Sequence, residues 1–273
     1  MATNPWSREN FINIREPMSL TYDTPHGYLS MNHILYINDN LPGRSPFSYR
    51  EKEAAVWIVE ELLAMGHDWD DIQIQEFTFR DTQVLRRGIT WVWMLTHPMV
   101  RDAEMRCSTQ MTEEQIYNTA FMVNADVLFE GPYMIFGAGF SEMSERDAFS
   151  IWGYRGCVAE FNEITNQVYI IANELNHLHD FELHHVPEII FASSDQLAFL
   201  HEGFTVVNLF GLYKTDDTDF REVLYLEDGR RFTTRVLHTP GDSFRIIERL
   251  WPGKIETNMR GFSIFLEEMI MMR

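Results

Sequence analysis

Short apolar runs alternate with longer stretches of helical spacing along this chain, and that alternation leaves few architectures open. Phe121 to Phe129 is a strand-length apolar run interrupted by Asn124 and Asp126. Tyr133 to Phe136 is another, ended by Gly137 and Gly139, and Val186 to Ala192 and Val206 to Phe210 follow. Ile72 to Phe79 and Ile89 to Leu95 also read as strands. Strands apolar on both sides belong to a sheet covered on both faces. The intervening stretches supply the cover. Ser48 with Glu51 three residues on forms a capping box. It opens a helix whose apolar positions are Ala54, Ala55, Ile58, Val59, Leu62 and Leu63, and Gly66 stops it. Val158 to about His179, a turn at Ile246 to Trp251, and Lys254 to about Met271 carry further helical spacing. The expected fold is α/β, a three-layer α/β/α arrangement with a mostly parallel or mixed central sheet. No Pro/Ser-rich linker divides the chain, so residues 1–273 are expected to form a single domain with 1–43 as an irregular N-terminal extension.

Composition fits that architecture and excludes several partners. Hydrophobic residues make up 45% of the chain and charged residues 23%, the mixture of a soluble globular protein. The 22 Lys and Arg against 41 Asp and Glu give a net charge of −19. Such a surface repels phosphate backbones and anionic lipid, so neither nucleic acid nor membrane is an expected partner. It attracts cations, among them peptide amino termini. Cys107 and Cys157 are too few and too far apart for a disulfide framework or a Cys-rich zinc site. The first residues open no apolar run, so a cytoplasmic location is the expectation.

Three polar clusters stand where chemistry is done. Asn124 and Asp126 end an apolar strand, and in open α/β sheets ligands sit beyond the carboxyl ends of strands. A carboxylate there binds metal, acts as a base, or caps a turn. Ser193-Ser194-Asp195 follows the Val186 run in the same way, with Asp195 either a ligand contact or the N-cap of the segment running into Phe199. His238-Thr239-Pro240-Gly241-Asp242-Ser243 is a proline-stiffened turn. A neutral imidazole on such a turn is either a zinc ligand, with Asp242 near enough in sequence to orient it, or a solvated loop residue. His177, His179, His184 and His185 form a further cluster, either a second metal site or a polar helix end and loop. There is no H-E-x-x-H and no nucleotide-binding glycine loop.

Taken in order, these pieces resemble the M28 family of zinc aminopeptidases. Tyr49 to Ala55 and Leu62 to Gly66 resemble the family's opening helix. Val123-Asn124-Ala125-Asp126 resembles its N-x-D strand, and the resemblance implies that Asp126 ligates zinc. Ser194 to Phe199 followed by Gly203-Phe204 resembles the family's S-D-H-x-x-F…G segment, with Gln196 in place of His and Thr205 where proline is common. Leu237 to Ser243 resembles Y-H-T-P-x-D-T, whose His is the last zinc ligand, here His238. The resemblance covers roughly residues 44–96 and 115–272.

It also locates a departure. The family's His-x-Asp ligand pair, bridging Asp and Glu-Glu pair all fall in a segment for which only Thr96 to Ile116 is available here. Ala103-Glu104-Met105 is what matches of its A-E-E motif, which makes Glu104 the candidate general base. The resemblance thus implies zinc as cofactor, Asp126 and His238 as ligands, Asn124 and Asp242 behind them, Asp195 on the substrate side, and a peptide or aminoacyl substrate cleaved at its amino end. A two-zinc hydrolytic site needs about five ligands, so the alternative is a catalytically inactive M28-like relative that binds peptides or amines. A sheet shortened in the middle leaves a strand edge, and pairing through it gives a homodimer.

Overall fold

The computed structural model describes residues 26–44, 48–72, 112–140, 159–179, 181–191, 194–215, 224–225, 231–233, 236–237, 239 and 241–272. The chain divides into two compact units, Met1–Arg80 and Asp81–Arg273.

In the first unit, α1 spans Tyr28–Asn40 and α2 spans Tyr49–Ala64. The Ser48 hydroxyl accepts the Glu51 N–H at 3.1 Å, and Gly66, at φ 97°, lies beyond the helix end, as the capping residues predict. The buried face differs from the expected one. Trp57, Val59 and Ala64 are buried while Ile58 is half exposed. Against that face lies α1, so Tyr28–Asn40 is helical where an irregular segment is expected. Its Tyr36 ring stacks on Trp57 at 5.2 Å, and His33 meets the same indole edge-on at 5.3 Å. His33 Nε2 also lies 3.1 Å from Glu61 Oε2. Tertiary aromatic packing holds α1, whose Asn-rich sequence carries little helical propensity of its own.

The second unit carries α3 (Glu113–Asn118), β1 (Met122–Ala125), β2 (Tyr133–Gly139), α4 (Glu163–His179), β3 (Leu183–His185), a 3-10 turn (Pro187–Phe191) and α5 (Gln196–His201). They are followed by β4 (Val206–Thr215), β5 (Leu224–Tyr225), β6 (Arg231–Thr233), α6 (Phe244–Leu250) and α7 (Lys254–Ile270). Among the described residues the sheet has six strands. Their path is β3-β2-β4-β6-β5, and β1 lies parallel to the first half of β4. β2 runs antiparallel to β4 and parallel to β3, so the sheet is mixed. The fold is α/β, as expected.

β4 is the spine. Its residues Val206 through Leu212 are all buried, the near-continuous apolar run of a strand covered on both faces. On one face Phe136 meets Phe265 of α7 at 5.2 Å, and Met134 packs against Gly261. On the other, Ile135, Phe210 and Leu212 form a buried cluster with Val186, Ile189 and Phe232.

Several element limits depart from expectation for local reasons. The run at Val186 does not continue as a strand. The Val186 N–H still donates to Phe136 O at 2.8 Å, but Pro187 has no N–H to give and the chain turns into the 3-10 segment. β2 runs on through Gly137 to Gly139, paired with Asn208 and Val206 of β4, and Gly137 is needed there because a Cβ would meet Ile189 at 2.4 Å. α4 starts at Glu163, since Asn162 Oδ1 accepts the Thr165 N–H and Thr165 Oγ1 accepts the Asn162 N–H, a reciprocal cap. β1 stops before Asp126 for the reason given below. The predicted strands over Ile72–Phe79 and Ile89–Leu95 lie outside the described residues, apart from Ile72.

Candidate functional site at the carboxyl end of β1

The β1–β4 ladder gives one bond past the strand. The Asp126 N–H donates to Leu209 O at 3.1 Å. Val127 then takes φ 49°, a left-handed conformation that a β-branched residue rarely adopts, with a cost of about 1–3 kcal/mol. The chain therefore leaves the sheet at Asp126 and crosses β4. Gly211 permits the crossing: a Cβ there would lie 2.0 Å from Leu128 O. From the other side Asn258 of α7, itself buried, donates to Leu128 O and Gly131 O. The backbone on either side of the half-buried Asp126 is thus held, by the ladder to Leu209 before the turn and by Asn258 after it.

A buried polar network leads to that carboxylate. Asn124 on β1 and Asn208 on β4 are register partners, and Asn124 Nδ2 donates to Asn208 Oδ1 at 2.7 Å. Asn208 Nδ2 donates to Ile189 O at 2.8 Å. Asn124 Nδ2 also lies 3.2 Å from Gln196 Oε1 and 3.3 Å from Ser194 Oγ. Gln196 Nε2 donates to Ile190 O. Ser194 Oγ donates to Asp126 Oδ2 at 2.7 Å. Among the described residues Oδ1 accepts no hydrogen bond.

The connection that starts at Asp126 reaches the second predicted motif through Glu130. Glu130 is buried at 1% exposure and accepts the Val236 N–H at 3.3 Å. Burial pushes its carboxyl up to about 8; the Asp242 carboxylate adds to the rise, and the Val236 and Leu237 N–H groups oppose it. The turn itself is cross-braced, with Thr239 Oγ1 donating to Val236 O and accepting from Gly241 N–H. The residues flanking position 238 are thereby tied to the loop that begins at Asp126.

Of the residues singled out from sequence, Asn124 and Asp126 belong to one network, and Asp242 is exposed beside Glu130. Asp195 is exposed directly before α5, while its neighbours Ser194 and Gln196 turn into the network. Glu104 and His238 lie outside the described residues. The four histidines do not converge. His177 and His179 are exposed at the end of α4. His185 stacks on Phe136 at 4.9 Å, and its neighbour His184 meets Tyr133 edge-on at 5.5 Å from the opposite side of β3. Burial lowers the pKa of both. Gln196, noted from the sequence only as standing in place of His, joins the network, and Glu130 and Asn208 are site residues that sequence reasoning passed over. Their signal was a lone polar residue inside an apolar run, at Glu130 within Val127–Phe136 and at Asn208 within Val206–Phe210.

For a divalent ion, the chemistry of Asp126 fits. One oxygen is held by a neutral donor, which is how protein ligands are oriented, and among the described residues the other accepts no hydrogen bond. Among the described residues no three His, Cys, Asp or Glu side chains are grouped to hold a metal. Further donors would have to come from residues such as His238. Among the described residues, too, no helix is long and apolar enough to cross a membrane. No protein-family model matches the chain, and no curated protein and no solved structure matches it.

Proposed function

We propose that this chain is a zinc-dependent exopeptidase of M28 type, acting on the amino end of a peptide or aminoacyl compound. The observation that carries the reading is Asp126, a carboxylate at the carboxyl end of a sheet strand with Oδ2 bonded to Ser194 and with no donor to Oδ1 among the described residues. Asp126 and His238 would hold the zinc, which when bound polarises a scissile carbonyl and lowers the pKa of water. Glu104 would take the proton from that water, and Asp195 would meet the substrate ammonium. Glu130 and Asp242 support the turn that carries His238.

A second reading keeps the Asp126 carboxylate as a binding group and drops the catalysis. It is favoured by the single donor at Asp126, the Ser194 hydroxyl on Oδ2, which leaves Oδ1 to accept from an ammonium group. In that reading the chain binds peptide amino ends without cleaving them. Aminoacyl 4-nitroanilides incubated with zinc-loaded protein separate the two. Release of nitroaniline that is lost in Asp126→Asn supports the peptidase. Saturable binding of the uncleaved compound, likewise lost in Asp126→Asn, supports the binding module, and neither result in the wild type overturns both.

A further inference from the structure

Lysine and arginine are missing from one long stretch of the chain. None lies between Arg155 and Lys214, while eight Asp and Glu do. α4, β3 and most of β4 fall within it. The field of such a stretch draws cations. Three aromatic rings meet inside it. His185 sits on β3, at the end of the sheet path, with its ring stacked on the buried Phe136. Tyr169 of α4 tilts against the His185 ring at 4.9 Å, and Phe161, next to the Asn162 cap, meets it edge-on at 6.1 Å. Rings of this size usually go into a core, yet Phe161 is 50% exposed and Tyr169 46%. Two exposed carboxylates flank them. Glu160 precedes Phe161 in the chain, and Glu188 is close enough to act on His185. Among the described residues neither carboxylate pairs with a Lys or Arg. Burial lowers the pKa of His185, against an opposite effect of Glu188, which widens the pH range over which that ring is a neutral aromatic.

We propose that Phe161, Tyr169 and His185 form a docking surface for the guanidinium groups of an arginine-bearing peptide, with Glu160 and Glu188 at its rim. The sign of the partner's charge follows from the stretch itself, which offers carboxylates and no Lys or Arg. An aromatic face attracts a cation through its quadrupole. A guanidinium also stacks flat on a ring and pairs with a carboxylate through two N–H groups at once, which an ammonium does not. Exposed rings beside exposed carboxylates therefore suit arginine. The surface is separate from Asp126, because β2 and β4 lie between β3 and β1.

The test is titration calorimetry with a hexa-arginine peptide, acetylated so that it offers no free amino end, at about 0.15 M salt, where long-range attraction is screened. Wild type should bind it saturably, and Tyr169→Phe, which keeps the ring face, should bind it alike. The double variant Phe161→Ala/Tyr169→Ala should bind about 10-fold more weakly. Should that variant melt poorly, Glu160→Gln/Glu188→Gln, which alters only exposed carboxylates, carries the comparison and should also weaken binding. A ring variant that melts like the wild type and binds as tightly would assign the attraction to the chain's overall charge and overturn the docking surface. A wild type without saturable binding would overturn it too. Asp126→Asn should bind like the wild type; loss of binding there would place the peptide at the other site and overturn this inference, whereas failure of the ring variants leaves the reading of Asp126 untouched.

Discussion

Glu130 accepts the backbone N–H of Val236 at 3.3 Å, across 106 residues of chain, with its carboxyl buried at 1% exposure. The contact joins the loop leaving Asp126 to the turn containing His238. Burial, and after it the neighbouring Asp242 carboxylate, push a carboxyl in that position up to about 8.

Protonation of Glu130 gives stability a definite pH dependence. The folded carboxyl titrates at about 8, above its ordinary 4.5 in the unfolded chain. Between those values the folded state binds the extra proton, so stability from this group is fully present below about 4.5 and is lost as pH rises towards 8. The slope should be no steeper than about 1.4 kcal/mol per pH unit. In Glu130→Gln, whose amide mimics the protonated acid, this part of the slope should vanish. Urea denaturation across the range measures both.

Asn208→Asp should be costly although it is isosteric. Asn208 is fully buried and its Nδ2 donates to Ile189 O. The substitution places a carboxylate oxygen against that carbonyl. We expect a loss of about 3 kcal/mol or more in chemical denaturation. Asn208→Ala removes the acceptor of Asn124 and should cost about 1–3 kcal/mol.

Gly211→Ala should affect the site through the backbone. A Cβ there would lie 2.0 Å from Leu128 O, on the segment between Asp126 and Glu130. Displacing that segment should cost about 3 kcal/mol. The amide resonances of Asp126 to Glu130 should shift more than those of α7.

How much of this was legible in the sequence varies with the physics involved. Where local chemistry decides, the reading held. The Ser48–Glu51 cap and the Gly66 stop delimit α2, and the apolar run of β4 is buried as its composition implies. Where tertiary contact decides, it did not. α1 is helical through its aromatic contacts with Trp57, which spacing along one segment does not reveal. The apolar run around Pro187 reads as a strand, yet Pro187 has no N–H to donate and ends the ladder after Val186. At the site, Asn124 and Asp126 drew notice as polar residues at a strand end. Glu130 and Asn208 acquire their meaning from partners 106 and 84 residues away. Such partners are a property of the sheet register and of the loop crossing over Gly211.

The central claim is that Asp126 presents one open carboxylate oxygen as a metal ligand. Elemental mass spectrometry of the purified protein, prepared without chelator and compared with Asp126→Asn, tests it most directly. The account predicts at least one tightly held zinc per wild-type chain and its loss in the variant, with the fold retained. A wild-type chain that holds no zinc after zinc addition and dialysis, or an Asp126→Asn chain that holds as much as the wild type, would contradict it.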